Sequence, residues 1–155
     1  MSAMSNFLEN KFLDWFFRGQ ALGVTGASAA DASGPTTLYV GLFTAAPTDV
    51  GGGTEVSGGS YTRVAVTSSL ANWSSTQTTG GTTASTGTAG LISNNTFITF
   101  PTPTLNWGTI TSFGIFDSLT GGNLLLYGNL TFAKTVNSGD ASPVYSPGAL
   151  QIQVA

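Results

Sequence analysis

TITSFGIFDSLTGGNLLLYGNLTF, residues 109–132, is the stretch that decides the fold. Its two flanks, Thr109–Phe116 and Asn123–Phe132, are built from β-branched, aromatic and aliphatic residues, which suit a pleated, half-buried surface. Between them stands Asp117-Ser118-Leu119-Thr120-Gly121-Gly122. An Asp side chain can accept from the backbone that follows it, and paired glycines tolerate the positive φ that a reversal needs. The reading is a hairpin: strand, loop, strand.

The same grammar repeats outward. Thr37–Thr44 (TLYVGLFT) reads as a strand ended by Ala45-Ala46-Pro47, and Val50–Gly59 as a glycine-rich loop. Ser60–Thr67 alternates, with Tyr61, Arg63 and Ala65 on one face and Val64 and Val66 on the other. Thr96–Phe100 and Ala149–Val154 add two more strands, and Pro101 and Pro103 separate the first of these from the strand at 109. Short strands punctuated this way predict a mainly β protein, an antiparallel β-sandwich or barrel-like domain with one N-terminal α-helix.

That helix is expected over residues 4–22. Leu8, Phe12, Trp15 and Leu22 recur near the i, i+4, i+7 spacing, and Phe16 widens the stripe. Ser5 or Asn6 is the expected N-cap, with Glu9 three residues beyond Asn6 as in a capping box, and Gly19 and Gly23 mark the end. Leu13 and Phe17 fall off the stripe, so the helix is apolar over more than half its circumference and has to be buried somewhere. Two burials fit: a core helix covering its own sheet, or a docking arm against a neighbouring subunit. Leu8, Phe12, Trp15 and Phe16 are the candidate subunit-docking residues. The small, polar stretch that follows tilts the choice toward docking, because a helix packed on its own sheet rarely needs a long tether. The expected organisation is an apolar helical arm over 1–22, a flexible linker over 23–36, and a β domain over 37–155. Residues 74–90 hold mostly Ser, Thr and Gly, and read as an exposed, solvated connection within that domain.

Composition narrows the function. The 155-residue chain has four basic and seven acidic side chains, no His and no Cys, and Val64–Phe116 contains no charged residue at all. Catalysis near neutral pH usually needs a titratable group, an activated nucleophile, or a metal held by His, Cys or carboxylates. No catalytic residue, cofactor-binding residue or metal ligand stands out, and no cofactor is expected. A paired-carboxylate site would have to draw on Asp49, Glu55, Asp117 and Asp140, none of them neighbours in sequence. The turn at Asp117–Gly122 is better explained by turn chemistry than by calcium. Gly51-Gly52-Gly53 and Gly80-Gly81 lack the Lys-Ser/Thr of a phosphate loop. With a net charge of −3 and only Lys11, Arg18, Arg63 and Lys134 as cations, nucleic acid is not an expected partner. No run reaches the length of a membrane span, and Glu9, Lys11 and Asp14 break the apolar N-terminus, which therefore does not read as an export signal. Asn72, Asn94 and Asn129 sit in sequons that read as chance matches in a Ser/Thr-rich chain. Trp73, Trp107 and Tyr127 are able to stack on a sugar, but packing is the better explanation for aromatics in such strands. A chain this poor in charge offers little protection against association along its strand edges, so it reads as a subunit of an assembly.

Three segments carry a resemblance. SNFLENKFLDWFFRG at 5–19, TLYVGLFTAAPTD with GGGTEVSGGSYTRVAV at 37–66, and above all the stretch 97–140 resemble a family of small virion structural proteins of tailed bacteriophages. Phe100-Pro101, Asn106-Trp107-Gly108, Gly114-Ile115-Phe116-Asp117 and Gly121-Gly122-Asn123-Leu124-Leu125 are the most specific parts. Members are labelled tail fibre or head decoration proteins. The resemblance implies a virion location after assembly in the host cytoplasm, no enzymatic activity, and self-association as a homotrimer. Three functions follow as expectations. The first is a capsid decoration (cement) protein that binds the major capsid protein and stabilises the head. The second is a tail fibre or baseplate-adaptor subunit. The third, from another class, is a carbohydrate-binding module using Trp73 or Trp107 with a carboxylate such as Asp117.

Overall fold

The computed structural model describes residues 4–24 and 34–154. It contains one helix, α1 (Asn6–Arg18), and strands β1 (Thr37–Ala45), β2 (Thr54–Glu55), β3 (Val64–Thr67), β4 (Leu91–Ser93), β5 (Ile98–Thr99), β6 (Gly108–Phe116), β7 (Leu124–Val136), β8 (Val144–Tyr145) and β9 (Gln151–Gln153). The class is the expected one: mainly β, antiparallel, with a single helix near the N-terminus. The chain divides into two compact units that interleave in sequence. One draws on residues 1–37, 67–98 and 145–155, the other on 38–66 and 99–144. The tether expected over 23–36 lies largely at 25–33, outside the described residues.

The second unit is organised by the hairpin read from residues 109–132. β6 pairs antiparallel with β7, Phe113 opposite Gly128 and Ile115 opposite Leu126. β6 also pairs antiparallel with β1, Val40 opposite Ile115 and Leu42 opposite Phe113, so that the sheet runs β2-β1-β6-β7 with β3 joined to β1. The central position of β6 explains its uninterrupted burial from Ser112 to Phe116. Glycine is required at Gly114, where a Cβ would come within 2.8 Å of both the Leu124 and Phe43 side chains. β7 runs to Val136, beyond the expected end at Phe132. Between the pairs Ile110–Lys134 and Ser112–Asn129 its register shifts, and the four residues Leu130–Ala133 stand against Thr111 alone.

The Asp117–Gly122 reversal is held from within and from outside. Asp117 accepts from the Asn123 backbone N–H and from Asn123 Nδ2, each at 2.7 Å. The Asn123 side-chain bond and the backbone bond together hold the Asp117 carboxyl below its ordinary value. Arg63 grips the turn by donating through Nη1 to the carbonyls of Ser118 at 2.8 Å and Gly121 at 2.7 Å. Its other nitrogens form a bidentate pair with Glu55, at 2.8 and 2.7 Å, and its guanidinium lies 3.3 Å from the Phe116 ring centroid. Here the Gly-rich loop expected over Val50–Gly59 contributes a short strand, β2. Its Glu55 completes a chain in which Tyr61 donates to Glu55 and the Leu42 N–H donates to Tyr61. Burial raises the Tyr61 hydroxyl pKa, so this chain keeps its proton.

The first unit is built around α1. Ser5 is the N-cap, its hydroxyl accepting from the Leu8 N–H at 3.4 Å, and Gly19, in the left-handed region at φ 64°, closes the C-terminus. The helix is therefore shorter than the expected 4–22, and Leu22 lies beyond its end. β4 pairs antiparallel with β9, Ile92 opposite Ile152. Asn94 is fully buried and pins the segment before β9, donating to the carbonyls of Thr96 and Ser146 and accepting from the Leu150 N–H. Its side chain is thereby closed to glycosylation.

Residues 74–90 form no strand, yet they are more than a solvated connection. The stretches 77–80 and 82–84 are exposed, whereas Ser74, Ser75 and Gly90 are buried, and the segment is laid on the polar side of α1. Asn10 donates to the Gly87 carbonyl and accepts from Thr76; Asp14 accepts from the Ser85 N–H and hydroxyl; Arg18 donates to the carbonyls of Gly81 and Thr83. A Ser/Thr/Gly-rich sequence supplies many small donors and acceptors, and these satisfy the buried helix side chains.

Candidate functional site: an outward aromatic helix face

The side of α1 turned into its own unit was not the side the apolar stripe marked. Buried are Leu13 and Phe17, together with Glu9, Asn10, Asp14 and Arg18. Asn10, Asp14 and Arg18 follow one another at i, i+4, i+8 and form a single polar stripe. Arg18 is fully enclosed: it pairs with Asp14 at 2.5 Å and donates to the Trp73 carbonyl at 3.2 Å and to Ser85 Oγ at 3.1 Å. Phe17 meets Trp73 edge-on with ring centroids 4.9 Å apart.

The expected stripe lies on the other side. Phe7 is 59% exposed and Leu8 38%, while Phe12, Trp15 and Phe16 are half-buried. The last three form one aromatic cluster, with centroids 5.5 Å apart for Phe12–Phe16, 6.2 Å for Phe12–Trp15 and 6.1 Å for Trp15–Phe16. Lys11 is the charged residue among them, its Nζ 5.9 Å above the Phe7 ring. The four candidate docking residues thus share one side of the helix, whereas Phe7, exposed in the first turn, falls at the wheel position of Asp14 and Arg18. Phe16 contacts Phe17 at 4.9 Å, so the outward cluster rests directly on the buried aromatic pair beneath it. Such a face is preorganised, because its rings are already fixed before any partner arrives.

The other sequence candidates are placed differently. Trp73 is fully buried and Trp107 is 5% exposed, its Nε1 donating to the Gly59 carbonyl, so neither offers a ring to a ligand. Tyr127, by contrast, is 41% exposed. The four carboxylates are not paired with one another: Glu55 is held by Arg63, Asp117 by Asn123, Asp140 by the Asn137 N–H, and Asp49 by the Tyr127 hydroxyl. Among the described residues no group of three or more His, Cys, Asp or Glu is placed to hold a metal ion. Among the described residues no helix is long and apolar enough to cross a membrane. The sequence reading missed the polar stripe; the i, i+4, i+8 spacing of Asn10, Asp14 and Arg18 was the signal that could have found it.

Comparison with known proteins gives one finding over nearly the whole chain. The family model described as podophage GP4 fiber I protein gp80 matches residues 3–153. No curated protein matches the chain.

Proposed function

This chain belongs to the family of the podophage GP4 fiber I protein gp80, a bacteriophage virion structural family, and we propose that it serves as a non-enzymatic fibre subunit docked through α1. The family description supports the fibre role ahead of the head decoration role that the sequence alone put first. The observation that carries the docking is the orientation of the helix. Its polar stripe is consumed inside its own unit, while Leu8 stays exposed and Phe12, Trp15 and Phe16, on the same side, are only half-buried. A partly exposed aromatic cluster of this kind supports an association surface. The partners in this proposal are further copies of the chain, as a homotrimer, and a neighbouring virion protein. β7 supports self-association too: it is the terminal strand of its sheet, 13 residues long, with Lys134 as its sole charge.

Antibody labelling of intact virions tests the placement. Gold on the tail or neck is the expected result; labelling spread over the head, at hundreds of copies, would transfer the protein to head decoration with the major capsid protein as its partner. A Phe12→Ser/Trp15→Ser variant tests the docking, and a folded variant that still enters particles at the normal copy number would refute it.

A further inference from the structure

We propose that the groove between the Thr48–Gly51 turn and the start of β7 is a binding site for a neutral saccharide. The site lies within the second unit, encloses about 410 Å³, and is walled by Thr48, Asp49, Asn123, Leu124, Leu125 and Tyr127. It does not depend on where in the virion the subunit sits.

One wall is a closed turn. The Thr48 N–H donates to the Gly51 carbonyl at 3.0 Å, the Gly51 N–H donates back to Thr48 at 2.8 Å, and Thr48 Oγ1 donates to the Gly51 carbonyl at 2.9 Å. That turn holds Asp49 where the Tyr127 hydroxyl donates to Oδ1 at 2.6 Å. Oδ2 has no hydrogen-bond partner among the described residues, and Asp49 lines the groove. On the opposite side, both donors of Asn123 used in the turn go to Asp117, which fixes the amide and leaves Asn123 Oδ1 free as a second acceptor. Asn123, Leu124, Leu125 and Tyr127 come to the groove together because the register of β7 shifts at Leu125, which has no partner on β6. The hydrogen bond to Asp49 also raises the Tyr127 hydroxyl pKa, which keeps it a donor and keeps the carboxylate oriented.

These parts select their ligand by chemistry. A fixed carboxylate and a fixed amide oxygen are acceptors, so the ligand has to bring hydroxyl donors. An exposed phenol ring in a groove that two leucines also line asks for an apolar C–H face on the same molecule. A pyranose carries both. No Lys or Arg lines the groove, whereas Asp49 lines it and Asp117 is bonded to its Asn123, so acidic sugars and phosphates are repelled.

The test is an amide-resolved NMR titration of the full chain with the methyl glycosides of glucose, galactose, mannose and rhamnose, with N-acetylglucosamine, and with glucuronate. The expected result is saturable shifts at residues 48–51 and 122–127 from at least one neutral sugar, and none there from glucuronate. Tyr127→Ala abolishes them, and Asp49→Asn weakens binding about tenfold or more, the value of a hydrogen bond to a charged group. Both positions are exposed, and an unchanged spectrum elsewhere verifies each variant's fold. No shifts in that region from any neutral sugar overturns the proposal. So does binding that survives Tyr127→Ala, or glucuronate binding as strong as the neutral sugars. Should a variant fail to fold, the location of the wild-type shifts and the glucuronate comparison decide alone.

Discussion

Removing Arg18 is the sharpest perturbation the first unit allows. The side chain is fully buried and reaches Asp14, Ser85 and the carbonyls of Trp73, Gly81 and Thr83. Arg18→Ala leaves the Asp14 carboxylate, 5% exposed, without its counter-charge, and removes the side-chain donor from the carbonyls of Trp73 and Thr83, while the Gly81 carbonyl keeps the Ser75 N–H. Breaking a buried pair from one side costs about 3–5 kcal/mol. Asp14 keeps the Ser85 N–H and hydroxyl, which solvate part of its charge, so the loss belongs near the lower end, about 3 kcal/mol. In a chain of this length that lowers the unfolding midpoint by roughly 6–12 °C. The double variant Asp14→Ala/Arg18→Met removes the stranded charge and refills part of the space, and should be less destabilised than Arg18→Ala alone. Thermal and urea unfolding followed by circular dichroism reads both. If Arg18→Ala costs under about 1 kcal/mol, or the double variant is no more stable than the single, residues 74–90 do not clamp the helix as argued.

Three further outcomes follow from the geometry. Leu8→Ser, on the outward face, should shift stability by no more than about 0.5 kcal/mol in the free subunit while lowering its recovery with particles; a large loss of the free subunit's unfolding midpoint would contradict the exposure of that face. Gly114→Ala should destabilise by about 1–3 kcal/mol, because the added Cβ meets the Leu124 and Phe43 side chains at 2.8 Å, and an unchanged urea midpoint would mean the β6–β7 packing is looser than described. Asp117 should titrate below its ordinary value of 3.8 by carboxyl NMR, so that its contribution is present above that value and lost as pH falls through the depressed one; a pKa at or above 3.8 would show that the Asn123 bonds do not form.

The β architecture was legible because its signals are local. The strand pair around Asp117–Gly122 announces itself through residue type and turn chemistry within a short window, and the structure places β6 and β7 there. What escaped were strands too short to show a period. β2, β4 and β8 have two or three residues each, and their pairing is set by what lies opposite them, not by their own pattern. The buried Arg63 escaped for a related reason. Its partners come from two other segments, Glu55 from β2 and Ser118 and Gly121 from the Asp117–Gly122 turn, and no spacing encodes that meeting. Tyr127 was singled out among possible sugar-stacking aromatics, but its carboxylate partner was not: Asp49 lies 78 positions away in sequence.

The helix shows where such reading misleads. Amphipathic patterns are interpreted on the premise that polar residues face water, and on that premise Leu8, Phe12 and Trp15 should turn inward. The premise fails when the chain can satisfy polar side chains from within. Ser85 lies 71 positions from Asp14, and Thr76 lies 66 from Asn10. Those small hydroxyl residues let α1 bury charge at tolerable cost, since a buried polar group is expensive only when unpaired. Once the polar stripe is internal, the 13-residue helix has its aromatic stripe left over, and the described chain provides nothing to cover Phe7 and Leu8. Two ways of burying the stripe were open from sequence, against its own sheet or against a neighbour. The first is now occupied by Asn10, Leu13, Asp14, Phe17 and Arg18, and the hydrogen bonds of Asp14 and Arg18 resist the rotation that would exchange the two faces. Among the described residues Phe7 and Leu8 are left exposed while Phe12, Trp15 and Phe16 are half-buried, so a substitution at Leu8 is the one that should separate assembly from folding.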